Sequence, residues 1–205
     1  MADLTTIAAV CGQVPELSDN SADAWLAGAI SAVSAAIEAR TGRWLAPRGA
    51  MTLYFDSPGG AAGFHLPVPK GLQSITAIAT AWLDQPDDGS GVYTPITTGY
   101  YLQPAVQDRL EGWPATSIDL SYLANAFFYP GLRTTRVSGQ WGWASTPPRV
   151  AQIATTAVVR AWRARTSGGA DYAIIGPDGG MKVLRDLAPA ELEELDYTYR
   201  DVVAH

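Results

Sequence analysis

The sequence predicts an α+β fold: a small helical bundle of two long helices, a β-rich antiparallel insertion between them, and a C-terminal helical arm. Two stretches, about 22–40 and 147–166, repeat apolar residues at helical spacing. The segment between them, about 50–143, consists of short β-type runs separated by turn residues. A glycine-rich stretch and a short amphipathic segment follow the second long helix.

The first long helix has clear start and stop signals. Its apolar face consists of Leu26, Ala29, Ile30, Val33 and Ile37. Asn20 or Ser21 is suited to the N-cap, and Asp23 in the first turn suits the positive end of the helix dipole. Gly42 follows the last periodic residue, where a left-handed residue is expected. A short helix is also expected upstream, at 4–10.

The middle of the chain is expected to form a mostly antiparallel sheet. The strands are predicted at 51–55, 64–68, 75–83, 92–96, 100–103, 117–122 and 134–143. Two of them, 92–96 and 100–103, are expected to pair around the turn at Thr97–Gly99. Pro67 and Pro69 argue against a central strand and favour an edge or a bend.

The second long helix is predicted to begin with Thr146 as its cap and Pro147 at its first position. It should end before the glycine-rich segment 167–181, which we expect to be a loop. A last helix, 189–200, is predicted to open with Pro189. Since neither long helix can bury its apolar face alone, the two should pack together. We expect a core at 1–166 and an arm at 167–205.

Composition favours a protein that packs against partners. The 205 residues are 47% hydrophobic and 17% charged, with seven Trp and nine Tyr. This leaves apolar surface for other subunits, so an oligomer is favoured. The net charge of −6 argues against a phosphate-driven nucleic-acid binder. A single cysteine, Cys11, precludes an intramolecular disulfide and fits folding in a reducing cytoplasm.

Targeting and membrane signals are not expected. The first ten residues have no basic start and a short apolar run, unlike a signal peptide. No apolar run approaches the roughly 20 residues of a membrane span.

Motifs for catalysis, cofactors or metals are missing from the sequence. It has no Gly-x-Ser-x-Gly elbow, P-loop or dinucleotide fingerprint. Its two histidines, His65 and His205, are far apart, and Asp84–Gly89 has turn rather than calcium-loop spacing. We therefore predict no catalytic residue, no cofactor, no metal and no enzymatic activity. Scattered carboxylates that meet in space stay an open alternative.

Aromatic and basic residues are the candidates for contact. The tryptophans at 82, 113, 141 and 143 are interpreted as core or interface anchors, with a carbohydrate platform as the alternative. Arginines at 149, 160, 163 and 165 lie on one helix, three of them in its last two turns. They suit the negative end of the helix dipole and a solvated face. The alternative is contact with DNA or an acidic partner.

Three sequence pieces occur in an order that resembles one family. A helix ends in Ile37-Glu38-Ala39-Arg40-Thr41-Gly42-Arg43-Trp44, and the run Leu66-Pro67-Val68-Pro69 enters a strand. Val137-Ser138-Gly139-Gln140-Trp141-Gly142-Trp143 then precedes Pro147-Pro148-Arg149-Val150 at a helix start. Over residues 22–166 this resembles the head–tail connector (adaptor) family of tailed double-stranded-DNA bacteriophages. The sequence departs from that pattern in a larger middle insertion, roughly 84–132, and a longer glycine-rich tail.

The resemblance implies a structural virion protein, located in the neck and assembled in the host cytoplasm. Such a subunit belongs to a homo-oligomeric ring, typically a dodecamer, that docks on the portal protein and joins a neck or tail completion protein. Genomic DNA would pass through the lumen without sequence-specific binding, and an acidic lumen would favour sliding. The portal-docking arm matches 182–200 by position. The candidate residues for subunit or portal contact are Trp82, Trp113, Trp141, Trp143, Arg160, Arg163, Arg165, Leu192, Leu195 and Tyr199.

Other functions remain possible from the sequence. Another neck or tail ring protein, such as a head-closure or tail-terminator subunit, is the alternative within the same class. The two long helices argue against it. A carbohydrate-binding β-rich module is the alternative from another class.

Overall fold

The computed structural model describes residues 2–17, 23–57, 63–84, 91–104, 113–124, 126–166 and 187–199. The chain divides into two compact units. The helical unit combines Met1–Ala46 with Thr146–His205, and the sheet unit is Pro47–Ser145. Helices and an antiparallel sheet are both present, which confirms the α+β class. The predicted boundary between 166 and 167 adjoins residues outside these ranges and stays a prediction.

The helical unit is built from two long helices and shorter pieces. In the described residues these are α1 (Ile7–Cys11), a 3-10 turn (Pro15–Leu17), α2 (Asp23–Thr41), α3 (Pro148–Thr166) and α4 (Pro189–Glu194). A π-helical turn, Leu195–Tyr199, continues α4. Both long helices lie within about one residue of their predicted bounds, and they contact each other. The rings of Trp25 and Trp162, one from each helix, have centroids 5.4 Å apart.

The end of α2 explains the first of the three sequence pieces. Gly42 has a φ of 72°, and its N–H donates to the Glu38 carbonyl at 3.0 Å, as a left-handed helix end requires. The Glu38 side chain is buried, and its Oε1 accepts the Leu45 N–H at 3.0 Å. The Thr41 hydroxyl donates back to the Ile37 carbonyl. These contacts fix the direction in which the chain leaves the helix.

The start of α3 differs from the prediction by one residue. The helix begins at Pro148, and the Pro147 carbonyl accepts the first helical hydrogen bond, from the Ala151 N–H at 3.0 Å. Pro147 is therefore the N-cap residue and Thr146 precedes it. The first helical position still holds a proline, because that position needs no N–H donor. The predicted caps of α2, Asn20 and Ser21, lie outside the described residues, as does the predicted loop 167–181.

The sheet unit contains one antiparallel sheet, with six strands in the described part of the chain. They are β1 (Pro47–Ser57), β2 (His65–Thr80), β3 (Thr94–Ile96), β4 (Tyr100–Gln103), β5 (Ala115–Leu120) and β6 (Gly131–Gly142). The order is β1-β6-β2-β5-β4, and β3 pairs with β2. A 3-10 turn, Tyr122–Ala124, follows β5.

The strand β2 joins two segments that the sequence presents separately. It passes through Gly71, whose φ is +84°, where an added Cβ would lie 2.7 Å from Pro114 Cγ. Among the described residues, β2 pairs with β5 at His65–Pro67 and Leu72, and with β6 from Leu72 onward. The expectation that Pro67 and Pro69 exclude a central strand is therefore wrong, because β2 is the middle strand of the sheet order. The prolines lie in the part of β2 that precedes its pairing with β6, where a missing N–H is tolerated.

The predicted pairing of 92–96 with 100–103 is wrong. Ile96 of β3 pairs with Ile78 of β2, whereas Tyr100 of β4 pairs with Leu120 of β5. Gly99, with a φ of 78°, turns the chain between the two strands, and the Ser121 N–H donates to its carbonyl at 2.7 Å. The turn is therefore present, but each strand has a different neighbour.

Gly139 lies at a close approach of two strands. Val137 and Trp141 beside it are buried, so this face of β6 belongs to the core, as its alternation predicts. A Cβ at Gly139 would collide with the Ser74 carbonyl of β2. Gly142, with a φ of 79°, turns the chain after β6, whereas Gly139 is required by the short distance between β6 and β2.

Candidate interaction surfaces

Side chains that could hold a metal ion do not cluster in the described part of the chain. No group of three or more His, Cys, Asp or Glu side chains there is placed to hold a metal ion. His65 Nδ1 lies 2.6 Å from Asp119 Oδ1, but this is a cross-strand pair on a solvent-accessible surface, with 54% and 35% of the two side chains exposed. None of the helices that the structure describes could span a lipid bilayer. The candidate sites are therefore surfaces.

The terminal segment, Leu187–Tyr199, is attached to the helical unit by charge. Three ion pairs link it to α2 and α3: Arg40 with Asp196, Arg149 with Glu194, and Arg160 with Glu191. Each has a hydrogen bond of ordinary length, at 2.9, 2.8 and 2.6 Å respectively. All three arginines contribute more than one nitrogen, so the planar guanidinium groups fix the orientation of the segment as well as its position.

The same segment also has apolar anchors. Leu187, Leu195 and Tyr199 are 5%, 0% and 7% exposed. Leu192 is half-buried, whereas Glu193 is exposed and Tyr197 is 92% exposed. Two of the residues predicted to contact another subunit or the portal, Leu195 and Tyr199, are thus packed within their own chain. Their side chains present little surface to a partner in this conformation.

Local electrostatics support the attachment of the terminal segment. Burial raises the pKa of Glu191, but the hydrogen bonds from Arg160 and the Ala188 N–H outweigh it and leave the pKa below its ordinary value. The hydrogen bond from Arg149 lowers the pKa of Glu194. Burial, with the nearby Glu194 charge, raises the pKa of the Tyr199 phenol. Both glutamates therefore favour the ionised state that the arginines require.

The basic end of α3 has a different arrangement. The Arg165 guanidinium carbon lies 5.2 Å from the ring centroid of Trp25 and 5.7 Å from that of Trp162. Arg163 and Arg165 are exposed at the end of the helix, whereas Arg160 is paired with the terminal segment. The three arginines expected to act alike therefore differ: Arg160 forms an ion pair within the chain, Arg165 is exposed but lies against two tryptophan rings, and Arg163 is exposed at the helix end.

Two of the four tryptophans selected from the sequence belong to the core of the sheet unit. Trp141 is 1% exposed, stacks on Phe55 at 5.7 Å and donates from its indole nitrogen to the Met51 carbonyl at 3.0 Å. Trp143 is 4% exposed, and its ring lies 4.8 Å from that of the half-buried Trp113. Their predicted interface role is not supported by this burial. Trp82 alone among the four is strongly exposed, at 74%.

A groove of about 520 Å³ opens beside Trp82. Its wall includes Trp82, Leu83 and Val92, which are 74%, 63% and 85% exposed. Ala124, Ala126 and Tyr129 also line it. We call the exposed apolar surface around this groove the Trp82 patch. Its six large members are Trp82, Leu83, Val92, Tyr122, Phe127 and Leu132.

Several contacts hold the patch together. Tyr122 and Phe127 both pack on Phe64, at centroid distances of 4.9 and 4.5 Å, and the chain between them contributes Ala124 and Ala126 to the groove. Asp84, the residue after Leu83, accepts the Leu132 N–H through Oδ1 at 2.7 Å, which fixes the backbone at Leu132. The patch therefore lies on backbone that is fixed by ring packing and hydrogen bonds.

Sequence reasoning found Trp82 but not the rest of the patch. A signal was available: Trp82 and Leu83 follow Ala81, the last buried residue of the run that starts in β2, and precede a turn. Two bulky apolar residues placed beyond the end of a strand, next to a turn, are expected to stay exposed rather than pack in the core. The acidic partners of the arginines were also missed, although Glu191 and Glu194 are three residues apart and hence share a helix face.

Comparison with known proteins identifies a shared fold. No family model matches the chain, and no curated protein matches it in sequence. A chain of the virion of a native gene transfer agent (GTA) particle has a TM-score of 0.57 at 20% identity, over 100% of this chain and 96% of that one. Chains from the neck of an empty GTA particle computed with C6 symmetry and from the neck of a native GTA particle computed with C12 symmetry give TM-scores of 0.48 and 0.49. Their identities are 21% and 22%, each over 91% of this chain and 94% of the other.

Proposed function

We propose that this chain is a structural subunit of the neck of a phage-like particle, an adaptor that forms a ring on the portal and joins head to tail. The observation that carries the proposal is the fold shared with a GTA virion chain over the full length of both proteins. It agrees with the resemblance of the sequence to head–tail connectors, which comes from the order of motifs and not from the overall fold.

The character of the described surface supports a role in assembly. Its most distinctive feature is an exposed apolar patch, and its clustered charges form ion pairs within the helical unit. A scaffold acts through packing area, whereas an enzyme needs converging ionisable groups with perturbed pKa values. The shifted groups here, such as Glu191 and Glu194, are explained by structural pairing.

Portal docking is assigned to the exposed side of the terminal segment. Its position matches the docking arm of the connector family, and Leu192, Glu193 and Tyr197 keep accessible surface there. Arg163 and Arg165 at the end of α3 are further candidates, suited to an acidic partner surface. Genomic DNA would pass through the ring without sequence-specific contacts, helped by the net charge of −6.

The experiment uses the full chain and the portal protein encoded in the same genome. Mass photometry and electron microscopy would follow the chain alone and after mixing with portal rings. We expect closed rings of the chain, formed alone or on the portal, coaxial with the portal channel. A chain that stays monomeric in both conditions would refute the proposal. The variant Tyr197→Ser should weaken portal binding. It should leave the fold intact, because the buried anchor Leu187 of the same segment is unchanged.

A further inference from the structure

We propose that the Trp82 patch is the surface through which each subunit contacts a second copy of this chain. The inference rests on the proposed ring function and names the part of the molecule that closes the ring. The residues of the patch all belong to the sheet unit, so the argument needs no relation between the two units.

The area of the patch is the first argument. Its six large side chains are between 46% and 88% exposed. The three aromatic members, at about 150–250 Å² for each whole side chain, expose on the order of 400 Å². The aliphatic side chains of Leu83, Val92 and Leu132 add to this area. The largest apolar patch of a typical monomer is about 300–600 Å². One side of a standard protein interface is about 800 Å², so the patch is large enough to form the apolar centre of a subunit contact.

Its composition is the second argument. Among the residues that the structure describes, the groove is lined by no charged, carboxylate or amide side chain: apart from its apolar members, this described lining offers the hydroxyls of Thr80, Thr94, Thr97 and Tyr129. Interface centres are similarly depleted of charge and rich in aromatic residues. A phosphate or an acidic peptide would find no cation in this lining. A sugar would find no carboxylate or amide side chain to orient it, so a protein surface fits best.

Shape is the third argument, and it selects a copy of the same chain. A ring needs two different surfaces per subunit, one for each neighbour, since head-to-tail contacts generate closed rings. The patch combines a concave groove with exposed rings at Trp82 and Tyr122, which is typical of a contact that must fit in one orientation. In such a ring every neighbour is another copy of this chain. Each contact would therefore bury the Trp82 patch of one subunit against a different surface of the next.

Two variants of the full chain separate this inference from alternatives. Trp82→Ser with Leu83→Ser removes two exposed apolar side chains from the patch. Tyr101→Ser is the matched control, because it removes an exposed aromatic ring of β4 that belongs neither to the patch nor to the proposed portal-docking segment. Mass photometry over a range of protein concentrations would measure assembly of each variant, without and with portal rings. Circular dichroism would confirm that both variants are folded.

We expect the double variant to need at least tenfold more protein to assemble than the wild type, and the control to assemble like the wild type. If the wild type and the double variant form rings equally well, the patch is not the contact, while the ring function stands. If the wild type forms no assembly in any condition, both proposals fail.

A crosslinking experiment identifies the occupant directly. A photoreactive phenylalanine analogue at position 82 should give a covalent dimer of this chain, while the same analogue at the exposed Tyr101 of β4 should not. Crosslinks from position 82 to the portal, or binding of a glycan that depends on Trp82, would overturn the assignment to a second copy.

Discussion

Leu195→Ala should release the terminal segment from the helical unit more effectively than the loss of an ion pair. Leu195 is 0% exposed, so truncation leaves a cavity, and Leu→Ala changes in such positions cost about 2–5 kcal/mol. The Arg40–Asp196 pair has side chains 34% and 30% exposed, and pairs this accessible contribute about 0–1 kcal/mol because solvent and salt screen them. The apolar anchor should therefore dominate.

Hydrogen exchange measured by mass spectrometry on the peptide covering 187–199 would test this. A cost of about 2 kcal/mol corresponds to roughly 30-fold faster exchange in that peptide, while the peptides of α2 should change less. Tyr197→Ala is the matched control: it is two residues away, 92% exposed, and should leave exchange unchanged. If Arg40→Gln releases the segment as completely as Leu195→Ala, the reasoning from burial is refuted.

Three further predictions concern single residues. The lowered pKa of Glu191 means that its contribution to stability is complete above the ordinary glutamate pKa of about 4.3 and is lost as the pH falls through the lowered value. Glu191→Gln should therefore lower the thermal midpoint at pH 7 and flatten its decline below pH 4, whereas Glu193→Gln should do neither. Gly49→Ala, at a φ of +76° in open space, should lower the free energy of urea unfolding by about 1–2 kcal/mol. Gly71→Ala should lower it further, because a proline ring blocks the added Cβ. Equal losses for the two variants would contradict the steric argument. Glu38→Leu should cost about 1–3 kcal/mol by leaving a buried backbone N–H without its carboxylate, and Glu38→Gln, which keeps an acceptor, should cost less in the same assay.

The long helices could be predicted closely because their signals are local. An apolar stripe fixes the length of α2, and Gly42 marks its end through a conformation that other residues rarely adopt. The strand positions were also largely predictable, since alternation is a local property. Strand partners were not: Ile96 and Tyr100 are four residues apart, yet they pair with different strands. Pairing depends on distant segments, whose positions no local pattern records.

The candidate surfaces were predictable only in part, for a related reason. Trp82 and Trp141 have the same intrinsic preference for burial, but one is 74% exposed and the other 1%. The difference arises because Trp141 lies within β6 opposite Gly49 and donates to the Met51 carbonyl, while Trp82 lies beyond the end of β2. Residue type gives the tendency to pack, and the topology decides whether the packing partner is in the same chain.

The sequence pieces that resemble connectors all have intrachain explanations. Glu38 and Gly42 form the helix exit, Leu66 and Val68 are buried in β2, and Gly139 permits the approach of β6 to β2. These residues maintain the fold, so their resemblance bears on architecture and leaves the choice of neighbour open.

The Trp82 patch has the opposite character. Leu132 and Tyr122 lie in the 84–132 region where this sequence departs from the connector pattern, and Trp82 and Leu83 directly precede it. Their side chains are exposed, so the fold of a single chain does not depend on their burial. Exposed side chains outside the shared motifs can be replaced without loss of the fold, whereas the residues that maintain the framework cannot. Specific recognition of a neighbouring subunit should therefore reside in the sheet insertion, and exchanging this insertion between two such proteins should exchange the partner that each chain accepts.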